Sequence, residues 1–333
     1  FTYDELDRLT TATASGMWGE LSFTYDDLGN RETRTLNNET TTYAYSSSTN
    51  RLDSLTGDDE GEFLYDGVGR LIEETRGPGP EVFSDDFESG TLDAWRGEGG
   101  DSATVSTETL TYTFTAADTL TRIETNGLSL GDYTYDGDGL RVSKTVDGET
   151  VFYLRTPSGN TFAEYDQDSN LIAEYIYAGD RQVAKVEPDG LGGEDISFFH
   201  PDHLGTSLHI TDEQGNTTWS GDYYPFGAEH SSTGTPDRYR FTQHELDPAT
   251  SLTYAKARYY NPAIGRFIST DPVGGSTTSS QSWNSYSYAK NSPLKYTDPD
   301  GRFPWLFIPI LVGAIAGAEY ANAPEGPDDP TAT

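Results

Sequence analysis

The feature that most constrains this chain is a repeated word. Tyr3 opens "YDELDRL", Tyr25 "YDDLGNR", Tyr45 "YSSSTNRL" and Tyr65 "YDGVGRL", at steps of 22, 20 and 20 residues. "YDGDGLRV" at Tyr135 and "YDQDSNLI" at Tyr165 continue the series at irregular spacing. A period of this length marks an array of small units, none of which can bury a face alone. Segments such as "ELSFTY" and "ETTTYAY" alternate polar with aromatic residues, the pattern of a half-buried strand. The Asp/Gly/Asn cluster that follows reverses the chain, and "NRETRT" or "GRLIEET" begins the return strand. Two short strands and their turns account for about 20 residues. Asp147-Gly148 in "SKTVDGETVFYL" sits at the two-residue position of a hairpin, and "NLIAEYIYAGDRQVAKV" reads as a longer one. The expected fold is all-β, with stacked hairpins joined into a curled, solenoid-like sheet.

The series is interrupted between Tyr65 and Tyr135 by "RGPGPEVFSDDFESGTLDAWRGEGGDSATVSTE", which is acidic and rich in Gly and Pro. Within it, "FSDDFESGTLDAW" resembles the opening of secreted jelly-roll modules of the laminin-G or concanavalin type, which would imply carbohydrate or matrix binding. No full module follows, and a surface excursion with one or two added strands is the expectation. Charge narrows the function classes. The 333 residues carry 55 acidic and 21 basic side chains, a formal net charge of −34, which repels nucleic acid and anionic membranes. Without cysteine there is no disulfide, thiol nucleophile or thiolate metal cage. The chain begins at Phe1 with neither Met nor signal peptide, so it reads as a piece of something longer, with any export signal upstream.

After residue 195 repeats give way to unusual words: "FFHPDHLGTSLHITDEQGN", "WSGDYYPFGAE", "RYRFTQHELDPATSLTYAKARYYNPAIGRFISTDPVGG" and "WNSYSYAKNSPLKYTDPDG". Together with the earlier units, they resemble the RHS/YD-repeat family and its repeat-associated core segment. The resemblance implies a hollow β-sheet shell closed at one end by the core as a plug, in a secreted or cell-surface protein. It implies a C-terminal toxin or effector enclosed by that shell, and contact with other bacterial cells or surface polymers. It also implies a single-turnover aspartic autoprotease that cuts after the final Asp-Pro-x-Gly-x motif. Residue by residue, Asp271 of "STDPVGG" and Asp298 of "YTDPDGR" match the catalytic carboxylates, and Arg266 of "GRF" matches an orienting arginine. The cut would fall between Arg302 and Phe303. Two close carboxylates cannot both ionise comfortably, so one keeps its proton while the other activates water. A separation beyond about 8 Å would end that coupling. The sequence departs from the family in carrying Arg302 where an apolar residue, most often Leu, is usual, and in a tail of only 31 residues. The alternative is a non-enzymatic adhesion or recognition scaffold whose Asp-Pro turns only cap strands.

The expected boundaries are repeats over 1–78, an acidic insertion over 79–126, repeats over 127–195, the core over 196–302 and a tail over 303–333. The tail opens with 16 apolar residues, Phe303 to Ala318, short of the roughly 20 that span a bilayer as a helix. Gly313 and Gly317 form a small-xxx-small pattern suited to close helix packing. Enclosure in the shell is the expectation for this segment, with membrane contact open only to residues 303–318. His200, Asp202, His203 and His209 have permissive metal spacing but no further ligand, and no cofactor or metal is expected. Ser207, His203 and Asp202 make a triad on paper, without a nucleophile elbow to support it. "DGDG" at Asp136 and "DQDSN" at Asp166 lack the spaced ligands of a Ca²⁺ loop and read as repeat turns. The aromatic words read as β core rather than a sugar platform.

Overall fold

The computed structural model describes residues 1–46, 49–77, 108–275, 280–302 and 305–306, and they are nearly all β, with no α-helix among them. Twenty strands, from β1 (Thr2–Tyr3) to β20 (Glu229–Gly234), each pair antiparallel with the next in chain order. The first and last of these strands are not paired with each other, so the sheet is not closed into a barrel. The ladder continues past the interruption: β8 (Leu71–Arg76) pairs with β9 (Glu108–Phe114), with Glu73 opposite Thr111 and Arg76 opposite Glu108. Residues 78–107, which hold most of the expected insertion, lie outside the described residues. Strands β9 and β10 (Leu120–Thr125) fall inside the range expected as insertion and are regular members of the sheet.

One turn chemistry explains the repeated word. Asp26 Oδ1 accepts the backbone N–H groups of Leu28 (2.9 Å) and Asn30 (2.8 Å), and Gly29 takes a φ of +77°. A short acceptor thus organises the reversal, and glycine supplies the left-handed residue at no steric cost. The same hydrogen bonds recur at Asp66, Asp136, Asp166, Asp202 and Asp212, with Ser169 at a φ of +66° in the glycine's place after Asp166. The word "DHLGT" is therefore another turn of this kind. The tyrosine ahead of the turn ties one unit to the preceding one: Tyr25 Oη donates to Leu9 O at 2.8 Å, Tyr45 Oη to Arg31 O at 2.9 Å.

Alternation along each strand puts one face inside, where Leu52, Leu71, Leu120 and Ile123 are fully buried. Against that face packs a second, four-stranded antiparallel sheet of β21 (Glu245–Asp247), β22 (Leu252–Ala255), β23 (Arg258–Asn261) and β24 (Arg266–Phe267). Every residue of β22 and β23 is buried. Shell and plug are locked by charge: Arg141 and Lys144 of β12 (Arg141–Val146) meet Glu245 and Asp247 at 2.6 to 2.7 Å. Withdrawing one partner of so buried a cluster costs about 3–5 kcal/mol. The plug also grips the turns themselves. Asn291 Nδ2 donates to Gly29 O at 2.8 Å, Tyr286 Oη to Gly69 O at 2.7 Å, and Asn284 Nδ2 to Asn30 Oδ1 at 3.0 Å. Residues 196–234, grouped with the core by resemblance, contribute to the strands from β17 (Glu194–Pro201) to β20 of the large sheet. The architecture is the expected curled sheet closed by a plug.

Candidate functional site

The plug brings Asp271 and Asp298 together on one guanidinium. Arg258 opens β23, and its Nη2 lies 3.1 Å from Asp271 Oδ2 and 3.3 Å from Asp298 Oδ2. The two carboxylate oxygens are therefore no farther apart than the sum of those distances, inside the limit for mutual coupling. The rest of the fork is equally occupied: Nη1 donates to Ser285 O at 3.0 Å and Nε donates to Gly301 O. Asp271 N–H donates to the same Ser285 carbonyl at 2.9 Å, so that loop fixes both groups. The guanidinium carbon sits 3.5 Å from the centre of the Phe267 ring, a cation–π contact that offsets part of its desolvation.

Burial governs the electrostatics. It pushes the Asp298 carboxyl up to about 6; Arg258 opposes the rise, and Asp300 and Asp271 add to it. Asp271 is raised as well, again chiefly by burial against the pull of Arg258. The guanidinium is itself lowered by burial from its ordinary value, which its acidic neighbours only partly restore. All three directions agree that desolvation outweighs pairing here. Asp298 is 1% exposed, so its carboxyl is shielded from the water that would otherwise screen it. His244 lies beneath: its Nε2–H donates to the Asp298 backbone carbonyl at 2.9 Å, and burial lowers its pKa to about 4, leaving it neutral.

The turn before the expected cut is held in detail. Arg302 N–H donates to Asp298 Oδ1 (3.0 Å) and Asp300 Oδ1 (3.1 Å), while Ala257 N–H donates to Asp300 O (3.1 Å). Arg302 itself is exposed, and Phe303 lies outside the described residues. Arg266 is elsewhere: its fork is spent on Asn30 Oδ1, Tyr45 Oη and Asn50 O of the shell. Sequence reasoning missed Arg258, which takes the place beside the carboxylates that was expected of Arg266. Its sole local signal is a charged residue heading the aromatic word "RYYN".

A cavity of about 1000 Å³ opens on the other side of this turn, lined by His244, Lys256, Thr297, Pro299 and Asp300 from the plug and by Arg155 and Tyr177 from the shell. The histidines make separate contacts. His200 Nε2 meets Thr211 Oγ1 at 2.9 Å and His203 Nε2 meets Leu294 O at 3.1 Å. No group of three or more ligands able to hold a metal occurs among the described residues. No helix among them is long and apolar enough to cross a membrane. The apolar stretch 303–318 lies outside the described side chains.

A family model described as RHS protein matches residues 196–230. The tRNA nuclease WapA of Bacillus subtilis (strain 168) is 28% identical over 304 residues, covering 89% of this chain and 11% of that protein. Toxin protein Tse5 of Pseudomonas aeruginosa is 39% identical over 130 residues, covering 38% of this chain and 9% of Tse5. A solved structure, TcdB2-TccC3-Cdc42, aligns at 18% identity and a TM-score of 0.39 over 90% of this chain and 20% of that one. The chain thus spans about a tenth of the length of these two curated relatives. The match of residues 196–230 to the RHS protein model and the two curated relatives make the chain similar to RHS-repeat proteins.

Proposed function

We propose that this chain is the closing portion of a secreted or cell-surface RHS shell used in toxin delivery, and that its plug cuts the chain between Arg302 and Phe303. The observation that carries the cut is the placement of both carboxylates on Arg258, whose Nε also holds the Gly301 carbonyl, one residue before the scissile carbonyl of Arg302. The partly exposed Asp271 is the base and the buried Asp298 keeps the proton. Asp271 takes a proton from water as its oxygen attacks the Arg302 carbonyl carbon, and Asp298 delivers its proton toward the departing Phe303 nitrogen. The C–N bond breaks, leaving an amine on Phe303 and a carboxylic acid on Arg302 that then loses its proton to solvent, while Asp271 holds the proton taken from water. Protonation of Asp298 is needed, so release quickens as pH falls through about 6. The enclosed partner on this reading is the chain's own tail, and the targets beyond it are other cells or their surface polymers. The names of the longer relatives support the delivery role, since one is a tRNA nuclease and the other a toxin protein.

A structural plug is the second reading, favoured by one observation: Asp298 Oδ1 accepts the N–H of Arg302 just as the repeat aspartates accept theirs. Intact mass separates the two. The parent chain is expected to lose its 31-residue C-terminal peptide while Asp271→Asn and Asp298→Asn stay whole. Three whole chains would leave the scaffold reading standing. Hot acid is avoided throughout, because it splits Asp-Pro bonds.

A further inference from the structure

Residue 302 departs from the usual apolar residue, and the geometry shows how little that position is read. Its side chain is exposed. What the plug grasps instead is main chain, at three successive contacts. His244 Nε2–H holds the carbonyl of Asp298, Ala257 N–H that of Asp300, and Arg258 Nε–H that of Gly301. Ala257 and Arg258 belong to the β22–β23 hairpin and His244 sits just ahead of β21, which pairs with β22, so one backbone and two side-chain donors of the small sheet hold the carbonyls ahead of the cut.

The position that the plug does read is 301. Gly301 has a φ of +70°, a conformation that side chains rarely adopt. A Cβ built there falls 2.2 Å from the Ala255 carbonyl oxygen and 3.1 Å from the Arg258 nitrogen. Both obstacles are backbone of the same hairpin, which cannot swing aside as a flexible side chain can. A methyl at 301 therefore pushes the segment off its carbonyl contacts and away from the carboxylates. We infer that cleavage specificity resides in the main chain of residues 298–301, with Gly301 as the residue that determines it and the side chain of residue 302 unread. This rests on the self-cleavage reading, and it removes the objection that Arg302 raises against it.

The test uses the full chain with Arg302→Leu, Arg302→Glu and Gly301→Ala, following peptide release by intact mass. Each change is also placed on an Asp298→Asn background, where every chain stays whole, and the thermal midpoint is measured. Release from both Arg302 variants is expected within about twofold of the parent, with unchanged midpoints. Gly301→Ala is expected to slow release more than about tenfold and lower the midpoint by about 3 °C or more. A tenfold change from either Arg302 variant, or a silent Gly301→Ala, overturns the inference. If no chain releases peptide, self-cleavage fails by itself. The midpoints then decide the main-chain grip: a loss at 301 with silence at 302 upholds it, and equal effects sink it.

Discussion

The same turn occurs in two settings in this molecule, on the shell and in the plug, and its aspartate behaves oppositely in each. On the shell, Asp166 accepts the N–H groups of Asp168 and Asn170, and the Asn170 side chain completes the set. Those hydrogen bonds, the Asn170 side chain foremost, hold its carboxyl below the ordinary range. Asp212 is lowered in the same way through Asn216. In the plug, Asp298 accepts the N–H of the residue four places on, and Gly301 is left-handed as Gly29 and Gly69 are. Yet burial raises Asp298 to about 6 despite the guanidinium beside it. Hydrogen-bond pattern alone therefore does not set the protonation state. The depth of the turn decides whether its aspartate is a capping group or an acid.

The largest test of this contrast is chemical. Asp298→Asn and Asp271→Asn are expected to abolish peptide release, whereas Asp166→Asn on the shell leaves its rate unchanged, all followed by intact mass over time. Equal loss from Asp166→Asn would show that the turn, and not the buried pair, is what matters. Next in size is the loss of a guanidinium. Arg258→Met leaves the buried Asp298 and the partly exposed Asp271 uncompensated and should cost about 3–5 kcal/mol in denaturant unfolding. Arg70→Met, which removes the partly exposed Arg70–Asp66 pair at 2.6 Å, should cost under about 1 kcal/mol.

A third test uses pH. A carboxyl whose folded pKa is raised stabilises the fold fully below its unfolded pKa, and that contribution is lost as pH rises through about 6. Stability of the parent minus that of Asp298→Asn should therefore fall by about 2 kcal/mol between pH 4 and pH 7. His244 runs the other way, since its depressed pKa costs stability as pH drops through about 4. Taking the difference between two chains that share His244 cancels that contribution. Asp166 has the sign opposite to Asp298, with stability present above the usual carboxylate pKa and lost on acidification. A parent-minus-variant difference that rises with pH would contradict the burial of Asp298. The smallest effect is a control. Gly137→Ala, which meets nothing within 4 Å, should change stability by less than about 1 kcal/mol, measured by thermal unfolding.

The sheet was legible in the sequence because its rules are local. Tyrosine, aspartate and glycine within five residues write a whole turn, and each turn fixes the register of the strands around it. "DHLGT" obeys the same rule but lacks the leading tyrosine, which is why it passed for a separate word. The aspartates were legible only through a resemblance, and the arginine between them was not. Arg258 and Arg266 stand on adjacent antiparallel strands, both buried, both beside aromatic residues. Nothing nearby in sequence tells that one fork turns to Asp271 and Asp298 while the other turns out to Asn30 and Asn50. That choice is made by how the small sheet sits against the large one, over separations of more than 200 residues.

Those separations also carry a consequence for the order of events during synthesis. The plug meets the shell at residues 233, 254 and 262 positions upstream, so closure waits for almost the whole described chain to leave the ribosome. Translation proceeds at about 5–20 residues per second, and the local hairpins can assemble as they emerge. The non-local grip comes last and slowly. Asp298 stands near the end of the described chain and its contacts Arg258 and His244 belong to the plug, so its burial waits for the plug to fold. On the proposed self-cleavage, the site is complete only once nearly all of the described chain has been made, so sealing would precede cutting.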